Sequence, residues 1–143
     1  IYAIKNKLYK KTGDLDTSLL YEANDMILNL SYSSDARLIT FEVYGNNTMI
    51  IKNSDTVIDD IGSGNAPKVS PDGNMVIFMV LEDDGYQITS GDIYLWDSKT
   101  GNIDPVANDP EKIEMNPIWI SDHSFFYINL NDGSINEMEL EEH

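Results

Sequence analysis

The chain has 143 residues, 41% of them apolar, and nine Lys and Arg against 25 Asp and Glu leave a net charge of −16. That length allows one domain with a sizeable core, and the apolar content excludes a disordered chain. No apolar run nears the roughly 20 residues of a spanning helix, and so acidic a surface repels nucleic-acid backbones and anionic membranes.

Helical periodicity is almost absent. Short runs rich in Ile, Val, Tyr, Phe and Leu alternate with Gly, Asn, Asp and Ser clusters, the pattern of many short strands. In chain order the runs predict strands at 1–4, 7–11, 18–23, 27–32, 37–44, 47–53, 56–60, 66–69, 74–81, 92–97, 103–107, 117–120, 124–129 and 134–140. The turns between them are explicit in "KKTGD", "YGNNT", "SPDGN", "SKTGN" and "LNDGS". Nothing resembling a linker divides residues 1–143, so the expectation is a single all-β domain.

The stretch "VSPDGNMVIFMVL" (Val69 to Leu81) shows the rule most clearly. Ser70 suits the first position of a type I turn, Pro71 presets φ at the second, and Gly73 suits the fourth. An unbroken apolar run follows, which predicts a strand covered on both faces.

The same hairpin recurs. "SSDARLITF" (Ser33 to Phe41) lies in register with "SPDGNMVIF" (Ser70 to Phe78), and "ISDHSFFYI" (Ile120 to Ile128) repeats it with a shorter turn. The shared acids Asp35, Asp72 and Asp122 are 37 and 50 residues apart. A second, offset echo links "LYKKTGDL" near Leu8 to "LWDSKTGNI" near Leu95. Repeats of this length, each with about four short strands, indicate β-propeller blades, with repeat hairpins near 27–44, 66–81 and 117–129. About three four-stranded antiparallel blades are expected, as a partial ring or a fragment of a larger propeller. In "DIYLWD", Ile93 and Leu95 should face one neighbouring blade and Tyr94 and Trp96 the other.

At these residues the chain resembles the TolB-like propeller repeats, distant relatives of WD repeats. The carriers are "APKVSPDGNMVIF" (Ala66 to Phe78) and "DIYLWDSKTGN" (Asp92 to Asn102). Pro67 and Pro117 match the proline that opens the inner strand, and Trp119 falls where the family often has Trp. Trp96-Asp97 looks like the WD dipeptide, although the Gly-His pair of those repeats is missing. The first copy has no counterpart of Pro67 and carries Ala36 where the turn Gly belongs; the third lacks the Pro and Gly of its turn. The resemblance implies a rigid ring for protein–protein contact, commonly outside the cytoplasm in bacteria, or the gating propeller of a prolyl-oligopeptidase-type peptidase. A sensory lobe of a membrane-anchored regulator is a further alternative.

No catalytic constellation is visible. The two histidines, His123 and His143, have no nucleophile arranged with them, and "GSGN" (Gly62 to Asn65) is not a nucleophile elbow. Absent cysteine excludes disulfides, zinc–thiolate centres and cysteine nucleophiles. The acidic stretches "EDDG", "DLD" and "NLNDGS" lack the spacing of a calcium loop, so neither metal nor cofactor is expected. The sequons at Asn29 and Asn46 carry meaning only for a eukaryotic secreted chain.

The candidate binding residues lie in loops. "EDDGYQITSG" (Glu82 to Gly91) reads as the longest connection inside any blade, and "NDPEKIEM" (Asn108 to Met115) as a connection between blades on the same rim. Glu82, Asp83, Asp84, Tyr86, Asp92, Asp109 and Glu111 are the residues expected to contact a protein partner or cell-surface ligand, Tyr86 as an aromatic anchor among charges. The chain begins with Ile1 and offers about three and a half blades, fewer than the typical four to eight of a closed ring. A larger parent or self-association to complete the ring is therefore expected, since an open arc exposes apolar faces and unpaired strand edges.

Overall fold

A computed structural model describes residues 1–45 and 48–141, which form fourteen strands and no helix. Asn46 and His143 lie outside the described residues, as does the first residue of the strand expected at 47–53.

The strands form four antiparallel meanders. β1 (Tyr2–Ile4), β2 (Lys7–Thr12) and β3 (Asp16–Glu22) make the first sheet; β4 (Ile27–Tyr32), β5 (Ile39–Val43), β6 (Thr48–Lys52) and β7 (Val57–Ser63) make the second. β8 (Asn65–Val69), β9 (Met75–Asp83), β10 (Ile88–Asp97) and β11 (Ile103–Ala107) follow, then β12 (Glu114–Ser121), β13 (Ser124–Asn129) and β14 (Ser134–Glu139). Two complete four-stranded blades are thus flanked by two three-stranded ones. This is the architecture of β-propeller repeats.

Burial explains the unbroken apolar runs. Each seam between successive blades holds its own apolar cluster: Leu8, Ile39 and Phe41 in the first, Met49, Ile51, Val76, Phe78 and Trp96 in the second, Ile77, Ile93 and Phe125 in the third. Residues Val76 and Phe78 therefore face one neighbour while Ile77 faces the other. Tyr94 and Trp96 pack in the second seam, and Ile93 and Leu95 in the third, as the alternation predicts.

The repeated turns share one chemistry. In "SPDG" the Gly73 N–H donates to Ser70 O at 2.9 Å, closing the expected type I turn. Fully buried Ser70 donates to Asp72 at 2.7 Å and accepts the Met75 N–H at 3.0 Å. Ser33 copies this, with Asp35 at 2.7 Å and the Leu38 N–H at 3.2 Å. Ala36 stands at φ +56, the left-handed conformation in which its equivalent in the second repeat turn, Gly73, rests at +74. In the last blade the turn shrinks to Asp122–His123, closed by Ser121 and Ser124 hydroxyls 2.6 Å apart.

One regularity carries no residue signature in the sequence. Asn29, Ala66 and Asn116 all have positive φ, at bulges in the innermost strands β4, β8 and β12, and they repeat the same 37- and 50-residue spacing. Cross-seam hydrogen bonds then lock the blades: Trp96 Nε1–H to Asp59 Oδ2 at 3.1 Å, and Trp119 Nε1–H to Lys68 O at 3.0 Å.

The connection expected at Glu82 to Gly91 is corrected. β9 continues to Asp83 and β10 begins at Ile88, so the turn is only Asp84–Gln87. Ser90 pairs with Glu82 and Gly91 with Leu81, across a bulge near Ile88. The ladder extends beyond the core, where both faces meet water. Charged side chains are compatible with a strand there, and they mimic a loop in the sequence.

Candidate functional site: the acidic rim

The β9–β10 hairpin stands above one rim of the arc. At its tip Asp84 Oδ1 accepts the Tyr86 and Gln87 N–H groups, both at 2.9 Å, and Asp83 Oδ1 accepts the Gly85 N–H at 3.0 Å. The Gln87 and Tyr86 donors hold the Asp84 carboxyl below its ordinary value, so it stays ionised. Tyr86 is 98% exposed at the apex. Glu82 and Asp83 are exposed strand residues just below it.

The inter-blade segment 108–113 lies at the base of the same hairpin, where Ile113 bridges to Gly91. Its backbone also reaches the last blade: Leu130 N–H donates to Ile113 O, and Ile113 N–H to Asn131 Oδ1, both at 2.8 Å. The expectation that these two segments share a rim is met. Asp109 Oδ1 accepts the Glu111 N–H at 3.0 Å, and Lys112 lies 3.8 Å from the other Asp109 oxygen.

Not all seven candidates come together. Asp109 and Glu111 sit in the base segment, and Asp92, half-buried in β10, lies with Asp109 near a residue that sequence reasoning missed. That residue is Glu114, which is buried at the start of β12 and accepts the Asp109 N–H at 2.8 Å. Burial drives its carboxyl above the ordinary value; the Asp109 N–H opposes this, and the Asp109 and Asp92 charges add to it. Burial and the Glu114 charge likewise raise the Tyr127 phenol. The tip residues Glu82, Asp83, Asp84 and Tyr86 form a separate group. Among the described residues no three side chains converge as a metal-binding group would.

The opposite rim carries an open cleft of about 970 Å³ between the last two blades, lined by Leu95, Val106, His123, Met138 and Leu140 with flanking acids. Its residues come from strands and turns scattered between Asp72 and Glu141, so no motif announces it.

These features define a β-propeller-type fold with acidic side chains and Tyr86 at the tip of one hairpin. No family model matches the chain, and no curated protein matches it in sequence. Solved structures do match. TolB from Acinetobacter baumannii superposes with a TM-score of 0.55 at 18% identity, covering 90% of this chain and 36% of that one. The β-propeller domain of the Trilobed protease from Pyrococcus furiosus, which has an open velcro topology, gives 0.55 at 14% identity over 81% of this chain and 43% of its own. The tricorn protease gives 0.60 at 10% identity, over 80% of this chain and 12% of that one. The chain thus spans less than half the length of each, and identities this low establish the propeller fold alone. No helix among the described residues is long and apolar enough to cross a membrane.

Proposed function

We propose that the chain is a non-enzymatic binding scaffold that recognises a basic protein or cell-surface ligand through the β9–β10 hairpin, outside the cytoplasm. The observation that carries this reading is the tip itself. Tyr86 is held out in water by a turn that Asp84 organises, among Glu82, Asp83 and Asp84. A large aromatic presented by a pre-ordered turn loses little conformational entropy on binding, and surrounding charge speeds encounter with a cationic partner. The base residues Asp92, Asp109 and Glu111 form a second acidic group where segment 108–113 meets the same hairpin. A second reading is favoured by the two protease propellers among the similar structures: the chain gates access in a larger peptidase and supplies no catalytic residue.

The test replaces Glu82 with Gln, Asp83 and Asp84 with Asn, and Tyr86 with Ala. The Asn side chains keep the oxygens that cap the turn, so the hairpin should stay folded. Affinity for the partner captured by the wild-type chain should fall sharply, and wild-type affinity should weaken with salt as screening shortens to about 8 Å. Undiminished binding by the variant would remove the hairpin from the interface.

A further inference from the structure

The second, third and last blades present the same three positions to the seam before them. In the second blade these are Phe41 and Val43 on β5, with Ile27 of β4 paired opposite Val43, all buried and apolar. The third blade repeats the pattern with Phe78 and Val80, and has Gly64 in place of Ile27. In the last blade all three positions turn polar: Tyr127 and Asn129 on β13, with Glu114 of β12 paired opposite Asn129. Glu114 is 3% exposed and Asn129 7%, and Tyr127 packs on Phe125 with ring centres 5.9 Å apart. Blade packing does not require this polar set, since the two other blades pack without it.

The polar set holds both ends of the connection 108–113. Glu114 accepts the Asp109 N–H at 2.8 Å. Asn129 Oδ1 accepts the Asn131 N–H at 3.1 Å, and Asn131 Oδ1 in turn accepts the Ile113 N–H at 2.8 Å. Ile113 bridges to Gly91, where an added Cβ would sit 2.8 Å from Glu114 O, so the hairpin base abuts the same backbone. Titratable groups act on Glu114 from three elements: Asp109 and Lys112 on the connection, Asp92 on β10 and Tyr127 on β13. Burial is the strongest influence and favours the protonated acid. The Asp109 and Asp92 charges add to it, while the Asp109 N–H and Lys112 oppose it.

We propose that Glu114, Asn129 and Tyr127 form a proton-operated clasp in the third seam, which holds the connection against the hairpin base while Glu114 is protonated and loosens as it ionises. The neutral acid keeps the Asp109 N–H on its carbonyl oxygen. The ionised acid faces an apolar seam and the Tyr127 ring, with the Asp109 N–H as its one backbone donor among the described residues. It regains water when the connection moves away, so ionisation favours the open arrangement. Asp109, Glu111 and the hairpin base are then released together. The closed clasp binds the proton more tightly than the open one, so opening becomes easier as pH rises above the ordinary carboxyl value of 4.5. The clasp is independent of what the rim binds.

Amide hydrogen exchange of the full chain tests this, read residue by residue from pH 4.5 to neutrality and divided by the rate of an unstructured peptide. In the wild type, protection of the Asp109, Ile113 and Leu130 amides should fall as pH rises, by at most about tenfold per unit for one proton. The Val76 and Phe78 amides of β9, in the core, should keep theirs. Glu114→Gln preserves the shape and the acceptor but cannot ionise, and it should make all three amides indifferent to pH. Glu114→Ile with Tyr127→Phe and Asn129→Val copies Ile27, Phe41 and Val43, and should do the same at Leu130. Wild-type protection independent of pH, a pH response that persists in either variant, or a fall shared equally by Val76 and Phe78 would each overturn the proposal.

Discussion

Strands β9 and β13 carry the same repeat, yet they inhabit different surroundings. In β9 the residues Val76 to Met79 are all buried, because blades pack against both faces; in β13 Phe125 is fully buried while Phe126 is not, because only one face has a neighbour. The aromatic pair in the end blade looks as apolar as the interior strand. Burial on both faces is therefore set by which blades pack against a strand, and the repeat pattern alone does not specify it. The innermost strands differ in the same way. Two residues before the bulge, the second blade has Ile27 and the third has Gly64, whose added Cβ would sit 2.2 Å from the Met49 side chain. The last blade has the buried acid Glu114 at that place.

The largest expected effect separates the two faces of the end blade. Phe78→Ala and Phe125→Ala should each cost about 3–5 kcal/mol, through lost transfer energy and the cavity left behind. Phe126→Ala should cost about 1 kcal/mol or less, since its ring is already partly in water. Denaturant unfolding of the three variants measures this, and equal losses at Phe125 and Phe126 would erase the distinction between the two faces of β13.

A smaller effect compares the turns of the two complete blades. Gly73→Ala places a Cβ at φ +74 and 3.0 Å from Ser33 Cβ in the neighbouring blade. The left-handed conformation alone should cost about 1–2 kcal/mol. Ala36→Gly relieves the same conformation at φ +56 and should stabilise by up to about 1 kcal/mol, once the greater freedom of Gly in the unfolded chain is subtracted. Thermal unfolding should thus move in opposite directions for the two substitutions.

The smallest effect concerns Glu114 and has a definite sign. Its folded carboxyl binds its proton more tightly than the ordinary value of 4.5, so below that value its stabilising contribution is fully present. The contribution is lost as pH rises through the raised folded value. Wild type should therefore gain stability relative to Glu114→Gln as pH falls from neutrality toward 4.5, with a slope no steeper than about 1.4 kcal/mol per pH unit for one proton. Asp35, held below its ordinary value chiefly by the Ser33 hydroxyl, runs the other way: its contribution is present at neutral pH and fades in acid. A pH-independent difference between wild type and Glu114→Gln would mean that Glu114 shares the solvated surroundings of the rim acids.

Much of the architecture could be read in one dimension because its causes are local. Ser70, Pro71 and Gly73 specify a turn whatever surrounds them, and the period-two order of "DIYLWD" assigns Ile93 and Trp96 to opposite seams once the element is a strand. Chemistry at the rim resisted such reading for two reasons. Glu82 and Asp83 continue a strand past the core, where solvent removes the apolar pattern that marks strands elsewhere. Glu114 resembles another charge in an acidic connection until the third seam closes over it and Asp92 and Asp109 arrive from separate elements. Turn chemistry and side-chain alternation act between neighbours in the chain, whereas burial and charge complementarity depend on which surfaces folding brings together and which it leaves uncovered.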